Sequence, residues 1–226
     1  MRLNEVKRRL TELSTIKIQN FSKKLIPNSL PILGCKVPDV RKLAKEICKG
    51  DYQIFLKEYD ASSYELQLCY GLVIANAKMS FEERKVYIQE FVKTIQDWAV
   101  CDCFVGSLNF TKKNMQETLD FIKVYQSSKE EFEVRFLAVM LMSYYITPEF
   151  VLEACQIIPT LYIEKYYAKM GVAWFIATLM VSYPKEAYHL LDTLEDSTTR
   201  NLAIRKIRES FRVSEIDKTR VLAYKK

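Results

Sequence analysis

The sequence predicts an all-α protein, an α-solenoid in which apolar and amphipathic helices stack as repeated pairs. Three observations carry that prediction. The 226 residues contain only 5 glycines and 6 prolines, too few turn residues for the many hairpins of a sandwich or barrel. Helix-start signals recur from end to end. Apolar segments that resemble one another return at roughly 30–40 residue intervals, the period of stacked helix pairs. A globular helical bundle is the alternative architecture.

The start signals fix where the helices begin. Ser80-Phe81-Glu82-Glu83 and Ser128-Lys129-Glu130-Glu131 have the form in which a hydroxyl and a carboxylate three residues on satisfy orphan backbone donors. Thr147-Pro148-Glu149 supplies a cap, a proline at the first helical position and an acid in the first turn. Between such signals lie Leu66 to Ala77, Arg84 to Ile95, Phe132 to Tyr145, Phe150 to Ile158, Tyr162 to Met180 and Ala203 to Phe211. The wholly apolar members of that set are expected to be inner helices. No strand pattern competes with them. Short polar linkers, with no Gly/Ser-rich stretch, favour one continuous domain over residues 1–226.

Charge is unevenly placed. The chain carries +6 overall, but residues 1–50 hold 12 Lys/Arg against 4 Asp/Glu and residues 197–226 hold 9 against 3, leaving an acidic middle. Clustered cations of this kind either keep a helical surface solvated or meet nucleic acid, where they release phosphate counterions. Six cysteines, Cys35, Cys48, Cys69, Cys101, Cys103 and Cys155, lack the spacing of a disulfide framework, and no signal segment precedes the first helix, so a reduced, cytoplasmic setting is expected. The Cys101/Cys103 pair has no second pair or nearby His, and no metal is expected there. His189, the one histidine, is expected at the surface. No apolar run approaches the ~20 residues of a membrane span.

Some polar and aromatic residues are not needed for core packing. Trp98 and Asp102 lie four apart and share one helix face. Packing with a local cap is the plain account of that pair, and a small indole-carboxylate site is the functional one. Arg135 opens an apolar run and Trp174 interrupts another about one repeat later. For Arg135 alone the plain account is a surface ion pair with Glu131 at i−4. If equivalent helices line one concave face, the four residues converge there.

Gly34-Cys35-Lys36-Val37-Pro38-Asp39-Val40-Arg41-Lys42-Leu43-Ala44-Lys45, the Trp98 and Asp102 pair, Glu133-Val134-Arg135-Phe136, the Trp174 helix, and Arg200-Asn201 with Lys206-Ile207-Arg208-Glu209-Ser210 resemble, in order and separation, the DNA alkylation repair family of AlkD-like alkylpurine DNA glycosylases. The likeness covers nearly the whole chain. It implies a solenoid of HEAT-like repeats with a basic concave face that holds double-stranded DNA, alkylated or distorted. It also implies cleavage of the N-glycosidic bond of cationic N3- and N7-alkylated purines with no metal or organic cofactor, by a monomer. The family's catalytic aspartate then matches Asp102, its two sugar-facing tryptophans Trp98 and Trp174, and its active-site arginine Arg135. Phosphate-facing cations are expected at Lys36, Arg41, Lys42, Lys45, Arg200, Lys206 and Arg208. The segment before Gly34 is shorter than the family pattern. Two substitutions also depart from it: Leu25 stands where an aromatic is expected, and Ala177 replaces an arginine one turn after Trp174. A non-catalytic DNA-binding scaffold is the second reading, and a peptide-binding solenoid the third.

Overall fold

The computed structural model describes residues 1–27 and 30–225. It is all-helical there, with no strand. Contacts cluster into two compact units, Met1–Lys113 and Asn114–Lys226. In chain order the first unit contains α1 (Leu3–Leu13), α2 (Ile16–Leu25), α3 (Val37–Lys49), α4 (Tyr52–Glu58), α5 (Tyr64–Asn76), α6 (Phe81–Val92) and α7 (Trp98–Val105), and it closes on a 3-10 turn, Asn109–Lys113. The second contains α8 (Met115–Ile122), α9 (Glu131–Tyr144), α10 (Val151–Ile157), α11 (Tyr166–Ser182), α12 (Pro184–Thr193), α13 (Ser197–Glu209) and α14 (Glu215–Arg220), and it ends on a 3-10 turn, Val221–Tyr224.

The repeat anticipated from the sequence is present. Helices α5, α7, α9, α11 and α13 begin 31 to 35 residues apart. In the first unit α5 packs on α3 and α7, and in the second α11 packs on α9 and α13. These central helices are the apolar ones: every residue of α5 from Tyr64 to Ala75 is buried, and α11 buries Gly171 to Ala173 and Phe175 to Ala177. A helix that is apolar all round is stable in water only when neighbours cover it on every side. The stacked helix pairs are those of an α-solenoid.

Two of the helix starts fall elsewhere than the sequence suggests. Ser80 caps α6 as expected, accepting from the Glu83 N–H at 3.1 Å. Ser128 does not cap α9, which begins at Glu131; its hydroxyl instead accepts from the Glu130 N–H at 3.0 Å and donates to Glu133 at 2.6 Å. Thr147-Pro148-Glu149 forms a turn, and α10 starts at Val151, because the Thr147 carbonyl takes both the Phe150 and Val151 N–H groups. The Asp196 carboxylate caps α13 through the Thr199 N–H at 2.7 Å, and Ser63 caps α5 through the Leu66 N–H at 3.3 Å.

One clamp organises the first unit. Glu65 is 1% exposed, yet its carboxylate accepts three backbone hydrogen bonds, from Leu33 at 2.8 Å, Gly34 at 2.6 Å and Cys35 at 3.1 Å. Those bonds hold the segment that enters α3 against α5. Gly34 sits at φ +106, and a Cβ there would lie 2.4 Å from the Thr15 carbonyl oxygen and 2.8 Å from the Gln19 nitrogen. Only glycine fits that backbone shape and that gap. The Gly34 carbonyl in turn accepts the Thr15 N–H at 2.9 Å, and Gln19 donates to the Ile32 carbonyl at 2.7 Å. So α2, which buries no residue of its own, is docked by hydrogen bonds to this segment.

Replacing Glu65 by Gln leaves three clustered donors facing one acceptor and is expected to lower the unfolding free energy by about 2–3 kcal/mol. Gly34→Ala, which adds both strain and a backbone clash, is expected to cost about 2 kcal/mol or more. Urea unfolding midpoints read both.

Candidate active site

Helix α7 carries the first half of the expected site. Its buried face, Val100, Cys101, Phe104 and Val105, packs on α5, and the Phe104 ring meets Phe91 of α6 edge-on at 4.8 Å. The close approach is possible because α5 has Gly71 at the crossing: a Cβ there would come within 2.6 Å of the Phe91 ring. With that face committed, Trp98 and Asp102 share the other face, each half-buried.

Both ends of α7 are tied down. At its start the Asp97 carboxylate accepts from the Val100 N–H at 2.9 Å, and the Trp98 indole Nε1–H donates to the Leu25 carbonyl of α2 at 3.2 Å. At its end Arg41 donates to the Ser107 hydroxyl at 2.8 Å, which donates onward to the Cys103 carbonyl at 2.7 Å. Burial pushes the Cys103 thiol up, against the opposing pull of the Arg41 guanidinium, so a thiolate nucleophile is not offered beside Asp102. Burial likewise pushes Cys48 and Cys155 up to about 11 and Cys35 to about 12. All six cysteines are free thiols.

The second unit carries Arg135 and Trp174. Arg135 is 4% exposed, an interior position and not the surface position of its plain account. Its guanidinium donates to the Tyr167 carbonyl at 3.0 Å and lies 6.0 Å from the centre of the Tyr167 ring. The Tyr167 N–H donates to Glu131 at 2.6 Å. The first turn of α11 is therefore bound from both sides by α9. Gly171 lets the two helices close up, since a Cβ there would stand 3.3 Å from the Ala138 methyl and 3.5 Å from the Arg135 Cα. Trp174 follows on the outward face of α11, 40% exposed, while Ala177 one turn on is 5% exposed.

The remaining cations divide into two groups. Lys36, Lys42, Lys45 and Arg208 are exposed, as expected for a phosphate-facing role. Arg41 is half-buried and turned to Ser107, and Lys206 is half-buried and paired with Glu209 at 2.8 Å. Arg200 is a correction: it is 4% exposed and donates to the Leu194 carbonyl. A guanidinium at a helix start that reaches back to the preceding loop serves the fold, because a buried carbonyl left unpaired costs free energy.

Phe21, Lys17 and Lys24 were not singled out from the sequence, whereas Leu25 was noted only as a departure from the family pattern. On α2, Phe21 is 61% and Leu25 48% exposed, one turn apart, with Lys17 and Lys24 exposed on the same side. The signal was available in the i, i+4, i+7, i+8 spacing of residues 17, 21, 24 and 25. Among the described residues no helix is long and apolar enough to cross a membrane.

A family model described as DNA alkylation repair enzyme matches residues 6–209. The chain belongs to that family. The match spans both units and all four residues of the expected site, and it supports a role in DNA repair and in binding DNA. No curated protein matches the chain.

Arg135→Met keeps the buried stem and removes the donor to Tyr167. It is expected to destabilise the protein by about 1–3 kcal/mol, read as a lowered urea midpoint at unchanged slope.

Proposed function

We propose that the protein is a DNA glycosylase that hydrolyses the N-glycosidic bond of cationic N3- and N7-alkylated purines in duplex DNA, with Asp102 as the catalytic carboxylate. Family membership across residues 6–209 carries this reading, together with the Trp98 and Asp102 pair held on the open face of a helix fixed at both ends. The chain acts on one duplex as a single domain, and the working species is a monomer.

The chemistry suits these residue types. An alkylated purine already bears positive charge, so the bond to C1′ breaks with its electron pair going to the departing base. What remains is an oxocarbenium-like sugar, and the enzyme's task is to stabilise it and deliver water. Asp102 opposes the developing charge and orients a water molecule, whose oxygen bonds to C1′ and whose proton passes to the carboxylate. The indole faces of Trp98 and Trp174 add cation–π attraction at the sugar. Arg135, interior and anchored on the Tyr167 carbonyl, acts on the adjacent phosphate through the positive potential it supplies. Because the lesion itself supplies the leaving-group charge, this route calls for no metal or organic cofactor. Lys36, Lys42, Lys45 and Arg208 are the exposed cations assigned to backbone phosphates.

A second reading, a non-catalytic scaffold that recognises damaged or branched DNA, is favoured by Leu25 in place of an aromatic and by the buried Ala177 in place of an arginine. The two readings separate in one experiment. Release of free 7-methylguanine or 3-methyladenine from alkylated duplex is expected with the intact protein. Asp102→Asn is expected to lower it by at least about 100-fold with duplex binding little changed. Retained binding without release in the intact protein selects the scaffold, and equal release by Asp102→Asn rejects the mechanism.

A further inference from the structure

A groove of about 720 Å³ runs between α13 and the closing 3-10 turn of the second unit. One wall is a single stripe of α13: Thr198, Asn201, Arg205 and Arg208, spaced i, i+3, i+7 and i+10. That spacing keeps all four on one helix face over about 15 Å. The other wall is Leu222 and Lys225. Part of the site therefore comes from residues 210–225, which lie beyond the family match.

The second wall is fixed in place. Val221 is fully buried. Tyr188 of α12 donates to Asp217 at 2.7 Å, stands 5.6 Å from the Tyr224 ring, and has the Arg220 guanidinium 4.6 Å above it. The groove's one carboxylate, Glu209, is compensated, since it pairs with Lys206 at 2.8 Å and with Arg205 at 3.7 Å. Its hydrogen bond from Lys206 holds its carboxyl below the usual range. Among the described residues no carboxylate pairs with Arg208 or Lys225.

The stripe therefore presents hydroxyl, amide and guanidinium donors in sequence, with a cation on the facing wall. Guanidinium forks fit phosphate oxygens, and neutral side chains commonly complete backbone contacts on nucleic acid. The groove between α10 and α12, lined by Leu152, Cys155 and His189 among others, is largely apolar and has no such series. We propose that the α13 groove is a phosphate-binding track that takes a short run of backbone phosphates of one DNA strand, extending the footprint beyond the damaged nucleotide. It rests on the DNA reading above and adds Arg205 and Lys225 to the residues that meet DNA. It also gives the C-terminal segment a role as the track's outer wall.

The test uses the full chain and undamaged duplex DNA, with anisotropy titrations over a range of salt concentrations. Removing both guanidiniums, Arg205→Gln with Arg208→Gln, is expected to reduce the slope of log affinity against log salt by about 2, and Arg208→Gln or Lys225→Gln alone by about 1. The single variants leave the Arg205 to Glu209 pair intact and so keep the test independent of folding. An unchanged slope in all three overturns the track, even if base excision persists. Reduced slopes in a protein that excises nothing keep the track and reject the glycosylase reading. No duplex binding by the intact protein overturns both.

Discussion

A single buried carboxylate fixes the geometry of the first unit. Glu65 lies in the most deeply covered helix, and by accepting three consecutive backbone N–H groups it makes the segment before α3 part of the core. That segment then supports α2 through the Gly34 carbonyl, and α2 supports Trp98 through the Leu25 carbonyl. A helix with no buried residue cannot be held by hydrophobic burial, so its position follows from these polar contacts. The chain of dependence runs from a carboxylate in the core to an indole at the candidate site.

Close packing at glycine explains the rest of the positioning. Gly71 of α5 leaves room for Phe91 of α6 and Phe104 of α7 to meet against it, which commits one face of α7 and leaves Trp98 and Asp102 on the other. Gly171 does the same for α11 against α9, committing the Arg135 side inward and leaving Trp174 outward. In both units the candidate site residues stand where a helix has already spent its apolar face. This is how a scaffold makes a polar site rigid without building it on loops.

The all-helical class and the repeat were legible because they rest on local signals: apolar period, capping residues and the scarcity of glycine and proline. Trp98 with Asp102 was legible for the same reason, as an i, i+4 pair on one helix. Arg200 was misread as a surface group, and the plain account of Arg135 as a surface ion pair shares the fault. Nothing local marks a guanidinium as buried when the acceptor it reaches is a backbone carbonyl, Tyr167 in one case and Leu194 in the other. Glu65 escaped notice because its partners are N–H groups some thirty residues away, which carry no sequence identity. Arg205 was passed over beside Lys206 and Arg208, although the stripe 198, 201, 205, 208 was there to be counted along the helix.

Burial also sorts the cations by what they can contribute to a salt-dependent partner. Arg200, shielded and bonded to a carbonyl, cannot reach a phosphate to displace the counterions condensed on it, so it adds little to the ionic dependence of binding whatever its formal charge. Lys36, Lys42, Lys45, Arg208 and Lys225 are exposed and so are free of that shielding. The basic ends of the chain are thus only partly exposed charge. Arg41 braces α7, Arg200 braces the entry to α13, and Lys206 holds Glu209 ionised. That last pairing has a direct consequence at the α13 groove. A carboxylate already satisfied by Lys206 repels phosphate less than a free one would, so Glu209 in the groove lining is compatible with the anionic strand proposed there.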